Sequence, residues 1–174
     1  MLTLLRFTRY AAATLLATML AATVAQAGDY LSFNAGEYDT IRQDHTAAQF
    51  GVEYRFDEIE YGFHPMVGAY ITSRDAKYAY AGFDWAVALL PNRLYLMPSF
   101  AVGAYSKGNG KDLGGTLEFR SGIEVDYQFD NAQQFGIGLN HLSNAGIYKH
   151  NSGVEEVMAT YSIPISTIGS WMGR

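Results

Sequence analysis

The sequence predicts an all-β fold: an eight-stranded antiparallel β-barrel whose outer wall faces lipid. Three observations carry this expectation. Segments of about ten residues alternate apolar and polar side chains with period two, which is the weak per-segment signature of a transmembrane barrel. After residue 27 no run approaches the roughly 18 apolar residues of a membrane-crossing helix. The chain also carries 13 Tyr, 10 Phe, 2 Trp and 18 Gly but no cysteine, so an exported protein of this size gets no help from disulfides.

Taken in order, residues 1–27 read as a cleaved signal peptide. Arg6 and Arg9 give a positive start, Tyr10 to Val24 an uncharged Ala/Leu-rich core, and Ala25-Gln26-Ala27 a small-x-small cleavage sequence. A retained membrane helix is the alternative, since no charge separates Arg9 from Asp29. Cleavage after Ala27 leaves residues 28–174 as one barrel domain. Without Arg6 and Arg9 the 12 Lys and Arg fall to 10, against 17 Asp and Glu. No nucleic-acid partner is expected of so acidic a chain, because such proteins need a basic face.

The expected strands begin with Tyr30–Tyr38, Thr46–Arg55 and Pro65–Ser73. In Lys77–Leu89, Ala79, Ala81, Phe83, Trp85, Val87 and Leu89 share one parity, while Tyr78, Tyr80, Gly82 and Asp84 share the other. Leu94–Tyr105 follows. Thr116–Phe129 is the clearest case: Leu117, Phe119, Ser121, Ile123, Val125 and Tyr127 alternate with Glu118, Arg120, Glu124 and Asp126. Successive side chains of a strand point to opposite faces, so each segment has a greasy wall and a charged one. In a narrow barrel the charges pair inside and the greasy wall meets lipid. Tyr127 and Phe129 sit where interfacial girdles lie. Gln133–Ser143 and Val154–Ile165 complete the set, and closure removes sheet edges that lipid cannot satisfy.

An even strand count puts both ends on the periplasmic side. Leu90-Pro91-Asn92-Arg93 and Asp130-Asn131-Ala132 are short, as periplasmic turns should be, while Ser106–Gly115 and Asn144–Gly153 are longer, as outer loops should be. Phe56–His64 fits less well, as a long periplasmic turn.

The chemistry-bearing stretch is His141-Leu142-Ser143-Asn144-Ala145-Gly146, followed by Glu155. A serine hydroxyl becomes nucleophilic when a base takes its proton and a third group orients that base. His141 and Ser143 share a parity with Phe135, Ile137 and Leu139, so both lie on the lipid-facing wall. Glu155 falls on the apolar parity of Val157, Ala159, Tyr161 and Ile163, whereas Glu156 points inward with Met158, Thr160 and Ser162. Polar side chains on a lipid-facing wall are costly unless they satisfy one another, and mutual bonding is also what catalysis needs. The blander alternative places the three above the bilayer, in loop water, without a role. Asn144 and Gly146 offer an amide and a flexible backbone as oxyanion donors, although Asn-Ala-Gly is also ordinary turn chemistry.

His45, His64 and His150 fall in expected connections with no carboxylate or cysteine pattern, so no metal and no cofactor is expected. Lys107, Lys111 and Lys149 are either solvated loop charges or contacts to lipid phosphates. Gly108-Asn109-Gly110 lacks the strand-to-helix context of a phosphate loop.

The motifs His141-Leu142-Ser143-Asn144-Ala145-Gly146, Gly153-Val154-Glu155 and Tyr161-Ser162-Ile163-Pro164-Ile165 resemble the lipid A 3-O-deacylase family, the PagL-type outer-membrane enzymes. That resemblance implies a metal-free Ser-His-Glu hydrolase that removes the ester-linked 3-O acyl chain of lipid A. It makes Ser143 the nucleophile, His141 the general base, Glu155 its orienting carboxylate, and Asn144 with the Gly146 amide the oxyanion hole. The implied partners are lipopolysaccharide, outer-membrane lipids and a second copy in a homodimer. The active site would face the outer leaflet. A phospholipase and a non-catalytic structural or adhesive barrel are the rival readings. The chain runs on past Ile165 without a terminal aromatic residue, leaving Trp171 to serve as an interface anchor.

Overall fold

The computed structural model describes residues 28–173, so the expected signal peptide lies outside the described residues. Nine strand segments follow in order: β1 (Tyr30–Tyr38), β2 (Ala47–Arg55), β3 (Phe63–Thr72), β4 (Lys77–Trp85), β5 (Val87–Leu90), β6 (Leu94–Ser106), β7 (Leu117–Gln128), β8 (Gln134–Ser143) and β9 (Val154–Pro164). A short helix, α1 (Ile165–Trp171), ends the chain. All neighbours pair antiparallel; β1 pairs with β9 and β4 with β6, which closes the sheet on itself.

The closed barrel has eight staves, because β4 and β5 both pair with β6 and are two halves of one strand. The interruption falls at Ala86, next to the point where β6 sets Pro98, which has no N–H to give, opposite Trp85; on its other side the Ala86 N–H donates to the Gly62 carbonyl at 2.8 Å, continuing the β3–β4 ladder beyond Phe63–Trp85. This explains the stretch that the sequence left as an ill-fitting turn. Residues 56–62 extend the β2–β3 hairpin: Phe56 N–H donates to Pro65 O at 2.8 Å, Ile59 N–H to Phe63 O at 2.9 Å, and Trp85 Nε1 to Tyr61 O at 2.8 Å. Strand β3 consequently starts two residues earlier than expected, and His64 is not in a connection. It lies within β3, fully buried, with Nδ1 3.1 Å from Phe56 O.

The two walls follow the alternation. Phe33, Phe50, Phe83, Ile123 and Ile137 are exposed on the outside, an apolar belt suited to lipid. Inside, two buried guanidiniums stand beside buried carboxylates, as burial of a charge favours. Arg55 lies 3.8 Å from both Asp84 and Asp126, donates to Gln134 Oε1 at 2.5 Å, and stands over the Tyr30 ring at 4.7 Å. Arg120 lies 3.6 Å from Glu156 and over the Tyr80 ring at 5.0 Å. The inward parity of β8 is glycine-rich for a steric reason: a Cβ on Gly136 would meet Asp126 Oδ1 at 2.0 Å.

The connections 39–46, 73–76, 107–116 and 144–153 gather at one end of the barrel, and 56–62, 91–93 and 129–133 at the other. At the loop-rich end Lys111 departs from both sequence readings. It is neither solvated nor free for a lipid phosphate, but buried, with Nζ 2.6 Å from Asp39 Oδ1. The Gly-rich loop folds back over the barrel mouth. Tyr105 OH donates to Lys111 O at 2.8 Å and shares a 2.6 Å bond with Tyr38 OH. Burial alone would raise the Asp39 carboxyl, yet Lys111 and the His45 backbone N–H at 2.7 Å hold it below the ordinary carboxylate range.

Lys111→Met should therefore destabilise the folded barrel by about 3 kcal/mol, because it leaves Asp39 buried without its counter-charge. A depressed carboxyl stabilises above its unfolded pKa of about 4, and that contribution is lost as the pH falls through the folded value. Thermal unfolding in detergent, read by heat-modifiable gel migration, should show the wild type weakening below about pH 4 and a smaller acid-side drop in Lys111→Met.

Candidate active site

Three outward side chains at the loop-rich end of β8 and β9 form the candidate site. His141 and Glu155 are directly paired in register, so their side chains leave the same wall, and Nδ1 of His141 lies 3.2 Å from Glu155 Oε1. With the proton on Nδ1, the ring donates to the carboxylate and Nε2 is left as an acceptor. That is the tautomer a hydroxyl-activating base requires. The pair sits in the wall, with side-chain exposures of 49% for His141 and 21% for Glu155. The second carboxylate oxygen, Oε2, is buried with no hydrogen-bond partner among the described residues.

Ser143 is half-buried one step further along the same face of β8, opposite Phe119 of β7. Its hydroxyl makes no hydrogen bond to a described residue. Residues two apart on a strand are separated by about 7 Å, so Ser143 and His141 meet only by leaning toward one another. Catalytic hydrogen bonds commonly tighten on substrate binding. Glu156, next in sequence to Glu155, is fully buried on the opposite face beside Arg120.

Gly153 is a part of the site whose role the sequence motif did not disclose. Its φ is +60°, and a Cβ there would stand 2.9 Å from His141 Cε1. The position therefore suits glycine, because its backbone is left-handed and a side chain there would crowd the imidazole of His141. With His141 as the base of a hydrolytic site, Gly153→Ala should lower kcat about tenfold by displacing the ring, since small misplacements of a catalytic group are costly. Turnover per folded molecule, with folding scored separately, checks this.

Asn144 and Gly146 are close to Ser143, but their donors are engaged. Asn144 is fully buried; its amide donates to Leu113 O at 2.6 Å and to His150 O at 2.8 Å, while its Oδ1 accepts the Gly146 N–H at 2.9 Å. Asn144 thus clamps loop 107–116 onto loop 144–153. Ser152 Oγ adds a bond to Asp112 O at 2.6 Å. Lys107 and the Gly114 N–H hold the Asp112 carboxyl below its ordinary range, which keeps that loop corner charged.

Fold and site together define a membrane-type β-barrel that carries a serine–histidine–carboxylate cluster on its outer wall. The chain belongs to the lipid A 3-O-deacylase (PagL) family, whose profile matches residues 46–164. It is 33% identical over 73 residues to the lipid A deacylase PagL of Pseudomonas aeruginosa, a match that spans 41% of this chain and 42% of that protein. Among solved structures, the crystal structure of the outer membrane enzyme PagL aligns with TM-score 0.59 at 21% identity, covering 78% of this chain and 99% of that one. A de novo designed transmembrane β-barrel aligns with TM-score 0.57 at 9% identity, covering 80% and 98%. Neisserial surface protein A aligns with TM-score 0.55 at 13% identity, covering 79% and 97%. Identities this low speak for the barrel fold alone.

Proposed function

We propose that this protein is an outer-membrane hydrolase that removes the ester-linked 3-O acyl chain of lipid A. The observation that carries the reading is the His141–Glu155 bond on the lipid-facing wall, with Ser143 on the same face. Membership of the lipid A 3-O-deacylase family supports the substrate class. The loop-rich end is the outward one in barrels of this type, which supports a site at the level of the outer leaflet.

In this mechanism Ser143 Oγ attacks the ester carbonyl and its proton passes to His141 Nε2, while Glu155 stabilises the resulting imidazolium. The sugar alkoxide leaves with that proton. Water then attacks the acyl-serine, losing a proton to His141, which passes it to Ser143 Oγ as the acyl–oxygen bond breaks and the fatty acid is released. Asn144 and the Gly146 amide serve the oxyanion once they exchange their present loop partners for it. That exchange ties oxyanion binding to a rearrangement of loops 107–116 and 144–153.

The test is mass spectrometry of lipid A from cells that express the protein. Loss of one 3-O-linked chain supports the reading. Intact lipid A with shortened phospholipids would replace lipid A by another lipid ester. Unchanged lipids beside abundant folded barrel would leave a non-catalytic role.

A further inference from the structure

Ser121 stands on the outer wall of β7 in the same cross-strand row as the histidine and the carboxylate. Its register partner is His141, which in turn faces Glu155. Its neighbours on that face are Phe119 and Ile123, and it is exposed. Its hydroxyl makes no hydrogen bond to a described residue. On a wall in contact with hydrocarbon there is no water to satisfy such a group, and an unsatisfied hydroxyl is unfavourable there. Every other outward residue of β7 from Leu117 to Val125 is apolar.

The depth of Ser121 matters. Ser143 pairs with Phe119, whereas Ser121 lies two residues further from the loops, about 7 Å deeper in the wall. An acyl chain whose carbonyl carbon is at Ser143 Oγ, and whose tail descends along β7 and β8, passes Ser121 with its first few carbons. We propose that Ser121 is a specificity residue: a subsite for a hydroxyl carried on the acyl chain two bonds from the ester carbonyl. The inference rests on the reading of Ser143 as the nucleophile. Ser121 takes no part in bond making. It offers one donor and one acceptor to a chain hydroxyl that would otherwise be stranded in hydrocarbon.

A site that hydrogen-bonds a substrate hydroxyl disfavours the analogue lacking it. The experiment compares two synthetic sugar esters of equal chain length in detergent micelles, one 3-hydroxyacylated and one unsubstituted. The wild type should prefer the hydroxyacyl ester about tenfold in kcat/KM. Ser121→Ala should bring the ratio close to one, and Ser121→Thr, which keeps the hydroxyl, should restore it. A purely structural role would lower both rates together and leave the ratio unchanged. A wild type without preference, or a preference retained in Ser121→Ala, overturns the subsite while leaving the hydrolase reading intact. Hydrolysis of neither ester by the wild type overturns both.

Discussion

Replacing Ser143 by alanine should lower the release of acyl chains at least about 10³-fold while the barrel folds as before. The two halves of this expectation have separate grounds. The proposed chemistry requires an oxygen nucleophile beside His141, and once it is gone the remaining groups can only bind and polarise the ester. The fold makes no use of the hydroxyl: Ser143 is half-buried, bonds to no described residue through Oγ, and its backbone keeps its place in the ladder opposite Phe119. Equal heat-modifiable migration of wild type and variant, with lipid A trimmed only by the wild type, is the expected outcome. His141→Ala is a less clean probe. It also strands Glu155, whose Oε2 is already buried without a partner, and an unpaired carboxylate in the wall costs stability. Retained activity in Ser143→Ala would move the nucleophile elsewhere, and Ser121, across from the same histidine, would be the place to look.

Much of the architecture was legible because period-two alternation reports directly on which wall a side chain joins. Tyr30–Tyr38 was expected and is observed with identical bounds, and Gln133–Ser143 and Val154–Ile165 differ from β8 and β9 by one residue each. The same parity placed Glu155 outward with His141 and Glu156 inward, and the structure puts one on the wall and the other beside Arg120.

What escaped the sequence depended on partners from distant segments. Lys77–Leu89 reads as one strand, but its pairing with β6 is interrupted where Pro98 stands opposite Trp85. Lys111 reads as a loop charge until the loop's return over the barrel mouth brings it to Asp39. Asn144 reads as a turn residue or an oxyanion donor, since nothing local reveals that its amide reaches Leu113. The final segment was expected to extend strand eight to Ile165. Instead Pro164 ends the strand, and α1 follows, with Trp171 exposed.

Glu155→Gln and Glu156→Gln should separate catalysis from stability across a single peptide bond. Glu155→Gln keeps the shape of the side chain but removes the charge that, in the proposed mechanism, holds the Nδ1–H tautomer and stabilises the imidazolium. Loss of the orienting carboxylate in such triads lowers kcat by about 10⁴-fold, and a drop of at least about 10²-fold is expected here because the pair is partly exposed. Its melting temperature should change little. Glu156→Gln acts on the other wall. It removes the carboxylate 3.6 Å from Arg120 and leaves a guanidinium buried in the barrel, which should cost about 3 kcal/mol of stability. Activity per folded molecule should stay within a few-fold of wild type, because Glu156 does not touch His141. Measuring turnover and thermal unfolding on the same two preparations reads both effects at once. If Glu156→Gln silences the folded barrel while Glu155→Gln spares it, the base is oriented from inside the barrel. The wall assignment on which Ser143, His141 and Ser121 all depend would then be wrong.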